Sequence, residues 1–215
     1  YEFIRDNQIL SKSIQNKYLI ETIELDKSKF ENEFFDVSYL LESKLLPYIS
    51  YPYEWSFEQL KAAALHHLKF QLFLFDHNAV LRDATAYNIQ FEGSEPIFID
   101  VLSIKEYKDG EYWLAYRQFC ENFLNPLLLR VVKGIPHNNW FRGALEGIET
   151  IELNKLLSLR NKISWKVFVH VVLQAKLIQK AINKPKIASK KVKHLKKFSK
   201  NSYKAILLQL FNWIK

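Results

Sequence analysis

The fold of this chain is best predicted outward from residues 81–91, LRDATAYNIQF, and the nearby residues 97–100, IFID. Upstream, residues 56–78 carry apolar side chains at steps of three and four, which predicts a long amphipathic helix with Ser56 as its N-cap. Downstream, apolar runs flank the turn-forming residues 92–95, which predicts a β-hairpin. The sequence therefore places a polar loop between a helix and a hairpin.

Three polar residues of this stretch form a candidate site. A hairpin register that pairs residues whose numbers sum to 188, such as 91 with 97, puts Asn88 directly opposite Asp100, with Cβ atoms about 4.5–5.5 Å apart. A carboxylate and an amide carbonyl at that separation offer the hard oxygen ligands that suit Mg²⁺. Asp83 precedes Asn88 on the same loop and is placed to accept a proton from a hydroxyl group. Each residue also has an ordinary structural interpretation, because Asp and Asn favour turns and caps.

The order of patterns along the chain predicts an α+β fold class. The chain divides into three predicted segments. A small β-rich part covers residues 1–50, a larger helical part covers 51–198, and a final helix covers 199–215. In the first segment, residues 1–15 predict a hairpin that turns at Asp6 and Asn7. In the others, residues 112–129 predict a helix, and Ser202 is a candidate cap of the last helix.

The helix, the loop and the hairpin together resemble the catalytic core of protein kinases. In that family an Asp acts as the base, an Asn five residues later binds metal, and a hairpin leads to a second metal-binding Asp. The resemblance implies these roles for Asp83, Asn88 and Asp100, with Mg²⁺ and ATP as cofactors. It also implies a reduced β-rich N-lobe, a larger and mainly helical C-lobe, and a hinge near residues 50–55.

A bacterial family described as nodulation-related is similar over a longer range, roughly residues 46–149. The similar motifs are YPYEWSF, RDATAYNIQF, FID and YRQFC, at residues 51–57, 82–91, 98–100 and 116–120. In that family this region precedes an S-adenosylmethionine-dependent methyltransferase domain, and residues 203–215 resemble the connector into it. The resemblance implies an upstream kinase-like domain, with S-adenosylmethionine bound only by a downstream methyltransferase domain. The absence of any methionine, including an initiator, predicts that the chain is a piece of a longer protein.

Several positions depart from an active kinase. No glycine precedes Gly93, so the glycine-rich loop over the phosphates is missing, and the predicted turn at residues 6–7 is a candidate for its place with less room for phosphates. Lys12 and Lys17 are the candidates for contacting the nucleotide phosphates. Thr85 stands where many kinases have a lysine. The metal-binding pair itself is retained.

Three further side chains are candidates for supporting the site. Arg82 precedes the candidate base, Tyr87 precedes the candidate metal ligand, and Glu54 is placed to pair with a lysine near the cleft. A Tyr packed in an aromatic core and a Glu on the surface are the ordinary alternatives. His66 and His67 are expected to be structural, because adjacent helical residues point about 100° apart and do not converge on one metal.

Composition limits the class of protein. Hydrophobic residues make up 48% of the 215 residues, which excludes a disordered chain. The single cysteine, Cys120, excludes an internal disulfide framework and suits a reducing compartment. No apolar stretch approaches the length of about 20 residues that a bilayer-spanning helix needs. Together these features predict a cytoplasmic protein in which Cys120 packs as a small hydrophobe.

The charge of the chain is divided unevenly. The last acidic residue is Glu152, and all charged residues after it are basic, although the whole chain has a net charge of +8. A lysine-rich segment over 176–204 is compatible with nonspecific binding to nucleic acid or to an anionic membrane. The preferred interpretation is that the acidic body or a downstream domain compensates this charge.

Three functions follow from the sequence. The first is a kinase-like domain that binds a nucleotide with Mg²⁺ and transfers phosphate to a hydroxyl of a small molecule or glycan. The second is an inactive kinase-like scaffold that regulates or docks the methyltransferase. The third is an interaction module whose basic tail binds nucleic acid or membrane.

Overall fold

The computed structural model describes residues 1–30, 36–183 and 199–215, and it shows an α+β fold in which short strands are embedded among helices. Its strands are β1 (Thr22–Leu25), β2 (Leu40–Ser43), β3 (Ala79–Leu81), β4 (Ile89–Glu92), β5 (Glu95–Phe98) and β6 (Ile104–Glu106). Its helices are α1 (Glu2–Asp6), α2 (Ile9–Gln15), α3 (Phe57–Asp76), α4 (Tyr116–Phe119), α5 (Asn125–Lys133), α6 (Asn138–Gly143), α7 (Thr150–Leu156), α8 (Leu159–Lys162), α9 (Trp165–Val167), α10 (Gln174–Asn183) and α11 (Lys200–Ile214).

Helix α3 is the central element of the core, and the sequence predicted both of its ends. Ser56 Oγ accepts a hydrogen bond from the Gln59 backbone N–H at 3.2 Å, and Gln59 Oε1 accepts one from the Ser56 N–H at 2.9 Å. This reciprocal capping box satisfies two N–H groups that the first turn of a helix leaves without intrahelical partners. Leu60, Phe70 and Leu74 are fully buried along the helix.

Strands β3 and β6 hold together the two ends of the candidate-site region. They are antiparallel, with Leu81 paired to Ile104, and the β4–β5 hairpin lies between them in the sequence. The chain leaves β3 at the same place where it enters β6. The loop of residues 82–88 and the turn of residues 99–103 are therefore brought to one end of this small sheet.

The predicted hairpin over residues 1–15 is wrong, because these residues form α1 and α2. Ile9, Leu10 and Ser13 are buried at helical spacing, and Gln8 separates the two helices with a φ of 57°. The predicted β-rich first segment therefore contains only β1 and β2 as strands among its described residues, which pair with each other. Its helices pack into the same core as α3.

Helix α11 packs against α3 at the other end of the chain. The rings of Phe75 and Tyr203 lie 4.6 Å apart, and Lys204 Nζ pairs with Asp76 Oδ1 at 2.6 Å. The predicted cap Ser202 is wrong by three positions, because Ser199 Oγ accepts the Ser202 backbone N–H at 3.1 Å. Most of the lysine-rich segment, residues 184–198, lies outside the described residues.

The helix predicted over residues 112–129 begins later and extends further, from Tyr116 to Lys133. Its middle, Cys120–Leu124, is a π-helical segment between α4 and α5. Within residues 1–30, 36–183 and 199–215, none of the helices has the length and hydropathy needed to cross a bilayer.

Candidate functional site

The structure brings together the three residues that the sequence selected. Asn88 Nδ2 donates a hydrogen bond of 2.9 Å to Asp83 Oδ1 and lies 3.4 Å from Asp100 Oδ2. All three side chains are partly buried. The predicted grouping of two carboxylates and one amide is therefore present in the folded chain.

Ser103 is a fourth member of this cluster that the sequence prediction missed. Its hydroxyl lies 2.7 Å from Asp100 Oδ2 and 3.0 Å from Asp83 Oδ2. The one hydroxyl proton can be donated to only one of these carboxylates at a time. The spacing between Asp100 and Ser103 was the available signal, because side chains three apart lie on the same side of a 3₁₀ turn.

The hairpin register differs by one position from the prediction. Ile89 pairs with Phe98, and the Ile99 backbone N–H donates to the Asn88 carbonyl at 2.9 Å, so Asn88 lies opposite Ile99 instead of Asp100. The cause is the turn, because its two residues, Gly93 and Ser94, pair residues whose numbers sum to 187, whereas the predicted register needs an odd number of turn residues. Asn88 reaches Asp100 from the end of a 3₁₀ turn, Ala86–Asn88.

The electrostatics of the cluster centre on Asp83. Partial burial raises the pKa of Asp83, and the nearby Asp100 carboxylate raises this pKa further. Hydrogen bonds from Ser103 and Asn88 to the carboxylate act in the opposite direction. Two carboxylates on one hydroxyl thus form a locally electronegative site in which a cation would be stabilised.

The ligand set fits Mg²⁺ in its chemistry. Mg²⁺ takes hard oxygen ligands and is commonly bound by one or two carboxylates together with phosphate oxygens and water. Asp100 supplies a carboxylate ligand, and the neighbouring Asp83 carboxylate adds negative charge beside it. The Asn88 amide presents its nitrogen to them, so ligation through Oδ1 needs a rotation of the amide by about 180°. Among the described residues, no three His, Cys, Asp or Glu side chains form a metal-binding group.

The two lysines predicted to contact phosphates lie on or next to helix α2. Lys12 is half-buried on the helix, and Lys17 is exposed just beyond it with a φ of 58°. Lys17 lines a cavity of about 320 Å³ that also includes Lys44 and Glu92, and none of the three site residues above lines that cavity. The roles of Lys12 and Lys17 stay predictions.

The three supporting candidates have identifiable structural roles. The Arg82 side chain is exposed, while its backbone N–H donates to the Ser103 carbonyl at 2.8 Å. Burial raises the pKa of Tyr87, whose hydroxyl is buried without a hydrogen-bond partner among the described residues. Glu54 Oε2 accepts the Tyr51 backbone N–H at 2.8 Å and so closes a turn.

The residues expected to be structural are packed as expected. His66 Nε2 lies 2.9 Å from the Tyr18 carbonyl oxygen, whereas the His67 ring is fully buried and contacts Phe98 and Phe119. Burial lowers the pKa of His67 to about 3. Burial also raises the pKa of the Cys120 thiol to about 12, which is the behaviour of an inert core cysteine.

Fold and site together define a mixed α+β protein with a partly buried carboxylate–amide–hydroxyl cluster. No family model matches the chain, and no solved structure matches it. The chain is 43% identical over 213 residues to nodulation protein NoeA of Rhizobium meliloti (strain 1021). The alignment covers 99% of this chain and 44% of that protein, so the chain spans less than half the length of this relative. The similarity supports the predicted resemblance to a bacterial nodulation-related family, and the relative's name specifies no biochemical activity.

Proposed function

We propose that this chain is a kinase-like domain that binds a nucleotide with Mg²⁺ and transfers phosphate to a hydroxyl of a small molecule or glycan. The observation that carries the proposal is the convergence of Asp83, Asn88 and Asp100 at hydrogen-bond distances. These are the residue types, in the same order along the chain, that kinases use as base and metal ligands. The link to a downstream methyltransferase domain belongs to the same proposal.

Each residue of the cluster has a defined part in this function. Asn88 and Asp100 would hold the cation, and Asp83 would orient the acceptor hydroxyl and take its proton. Burial and the neighbouring carboxylate raise the pKa of Asp83, which makes it a better proton acceptor than an exposed Asp. Bound Mg²⁺ supplies neutralisation of phosphate charge. Ser103 would hold the Asp83 and Asp100 carboxylates at a fixed separation, because its hydroxyl contacts both.

A second candidate is an inactive scaffold that docks or regulates the methyltransferase, and the N-terminal region favours it. Residues 1–15 are helical, so the substitute for a glycine-rich loop that the sequence suggested at Asp6 and Asn7 is not formed. Phosphoryl transfer depends mainly on positioning and on stabilising charge at the phosphates. Loss of the phosphate loop would therefore reduce catalysis more than it reduces binding.

Thermal unfolding with and without Mg²⁺–ATP tests nucleotide binding. A rise of about 3–5 °C is expected at a ligand concentration roughly ten times Kd, because a ligand bound only by the folded state stabilises that state. Asp100→Asn should abolish this rise. The variant keeps the Oδ1 that accepts the Leu102 backbone N–H at 3.0 Å, so the turn stays capped. Asp109→Asn, at an exposed Asp on the surface, is the matched control.

Phosphate release and transfer then separate the two candidates. In the kinase-like function, Asp83→Asn retains nucleotide binding and loses transfer to the acceptor. In the scaffold function, nucleotide binds without any transfer, and Asp83→Asn changes nothing. If the wild-type chain shows no shift with millimolar Mg²⁺–ATP or with Mg²⁺ alone, nucleotide binding by this site is refuted.

A further inference from the structure

Two amide side chains of the helix over residues 116–133 hold the backbone of the candidate catalytic loop. Gln118 Oε1 accepts a hydrogen bond of 2.8 Å from the Ala84 backbone N–H. Asn122 Oδ1 accepts one of 3.0 Å from the Ala86 backbone N–H. Both alanines are fully buried, so without these acceptors their N–H groups would lose hydrogen bonding where water cannot replace it.

These contacts fix the backbone on both sides of Asp83. On the preceding side, the Arg82 N–H donates to the Ser103 carbonyl at 2.8 Å, and on the following side Ala84 is held by Gln118. Ser103 also contacts the Asp83 carboxylate through its hydroxyl. With its neighbours restrained, the Asp83 side chain has few positions available to it.

The choice of amides over acids has an electrostatic reason. A carboxylate at position 118 or 122 would also accept the loop N–H groups, but it would add a negative charge close to Asp83 and Asp100. Gln and Asn accept the same hydrogen bonds without charge. Asn122 is fully buried, so its neutral amide also avoids the cost of burying an ion.

Asn122 also ties the loop to a second segment. Its Nδ2 donates to the Glu146 carbonyl at 3.1 Å, and the neighbouring Ile148 N–H donates to the Glu121 carbonyl at 2.9 Å. Glu121 and Asn122 both lie in the π-helical segment Cys120–Leu124. One buried amide therefore joins the loop, the helix and the turn around Gly147.

We infer that Gln118 and Asn122 are positioning residues that set the Asp83 carboxylate against Asp100 and Asn88. Both amides act through the loop backbone, at Ala84 and Ala86. The inference rests on the proposed function, because positioning matters only if the cluster binds a cation and an acceptor.

The half-buried position of Gln118 allows a matched set of variants. Gln118→Met removes the acceptor with little change in shape, and Gln118→Glu retains an acceptor. Gln174→Met makes the same change at another half-buried helical Gln, which lies far along the chain on α10. Two quantities are measured for each variant of this chain, which are amide hydrogen exchange of residues 82–88 and the affinity for Mn²⁺ as a probe of the cation site.

Gln118→Met should speed exchange of the Ala84 amide about tenfold, the effect of one lost hydrogen bond. It should also weaken Mn²⁺ binding roughly three- to tenfold, because the Asp83 carboxylate, whose charge favours a cation beside Asp100, is held less firmly. Gln118→Glu should restore the slow exchange, and Gln174→Met should change neither quantity. Asn122→Leu should likewise speed hydrogen exchange of the Ala86 amide, because it removes the acceptor of that N–H group. If that variant does not fold, the Gln118 series decides alone.

Unchanged exchange of the Ala84 amide in Gln118→Met would overturn the inference. Faster exchange with wild-type Mn²⁺ affinity would overturn the positioning role and leave only a structural hydrogen bond. If the wild-type chain itself binds no Mn²⁺, the proposed function fails first, and the exchange data still report whether the amides hold the loop.

Discussion

The loop–hairpin region of residues 79–106 and the N-terminal region of residues 1–20 are held in place by different forces. In the first, directional hydrogen bonds connect Asp83, Asn88, Asp100 and Ser103 to one another. In the second, apolar burial dominates. Its fully or nearly fully buried apolar side chains are those of Ile4, Ile9, Leu19 and Ile20.

The difference matters because the two forces specify position to different degrees. Apolar burial is nondirectional and tolerates small shifts, whereas hydrogen bonds lose strength steeply when distance or angle changes. A site for a cation and a reacting hydroxyl needs the second kind of support. The two regions meet where the Ile20 backbone N–H donates to the Phe98 carbonyl at 2.9 Å.

Gly147→Ala should destabilise the support of the hydrogen-bonded region most severely, because Gly147 lies against Glu121 and Asn122, and Asn122 holds the loop. A Cβ at Gly147 would lie 2.2 Å from the Glu121 carbonyl oxygen, and the residue has a φ of 82°. Steric overlap with backbone and left-handed strain together should lower the free energy of unfolding by about 4 kcal/mol. Urea denaturation measures the effect.

Gly93→Ala is the control for this variant. Gly93 also has a positive φ, of 65°, but a Cβ there would meet nothing within 4 Å. Only the strain remains, so a loss of about 1 kcal/mol is expected. Equal losses for the two variants would mean that the close contact with Glu121 is absent.

Ile4→Ala should break the apolar side. Ile4 has no exposed surface, and truncating a buried Ile to Ala leaves a cavity that costs about 3 kcal/mol. Ile23→Ala, at a residue that is 50% exposed, should cost less than about 1 kcal/mol. Similar losses for both variants in urea denaturation would contradict the burial of α1 in the core.

His67 gives the apolar core a dependence on pH. Its pKa is lowered to about 3 by burial, with a smaller effect from His66, while an unfolded chain has the ordinary value near 6.5. The folded state therefore disfavours the protonated ring, and stability falls as pH drops below about 6.5 towards 3. Between pH 7.5 and pH 5, His67 alone should lower the free energy of unfolding by about 2 kcal/mol.

Replacing His67 by Leu tests this assignment. Neither ring nitrogen has a hydrogen-bond partner among the described residues, so an apolar side chain of similar size should be tolerated at neutral pH. When the pH is lowered from 7.5 to 5, the free energy of unfolding of His67→Leu should fall by about 2 kcal/mol less than that of the wild type. An unchanged pH profile would assign the acid sensitivity to other groups.

Ser103→Ala should have the smallest effect on stability. The substitution removes the hydroxyl between the Asp83 and Asp100 carboxylates. Because these carboxylates are only partly buried, the free energy of unfolding should fall by about 1 kcal/mol. Ser94→Ala, at the exposed tip of the hairpin, should be neutral within about 0.5 kcal/mol. A neutral Ser103→Ala would mean that water replaces the hydroxyl without cost.

The predictable parts of the fold are those encoded over short distances. Helix α3 was predicted at both ends, because Ser56 and Gln59 form a local cap and the apolar stripe has a clear period. The hairpin was predicted as an element, but its register was wrong by one residue. A shift of one residue separates a turn with an even number of residues from one with an odd number, and this choice depends on the local conformation at Gly93, which composition alone does not specify.

The residues that were missed depend on contacts that are distant in sequence. The apolar pairs of residues 1–15 fit a hairpin or two short helices, and packing against α3 favours the helices. Ser103 and Asn122 are ordinary residue types outside the quoted motifs, and the YRQFC motif that contains Gln118 carries no sign of a contact with the loop. Their roles exist only because the helix over residues 116–133 docks beside the loop.

The sequence by itself determined which side chains are available for chemistry and which local elements carry them, namely Asp83 and Asn88 on a loop and Asp100 after a hairpin. It could do so because capping, helical period and turn composition act between neighbours in the chain. Only the tertiary structure decided the contacts among these side chains and the supports behind them. Those contacts depend on how β3 pairs with β6 and on where Gln118 and Asn122 meet the loop backbone, which is set by the packing of the whole core.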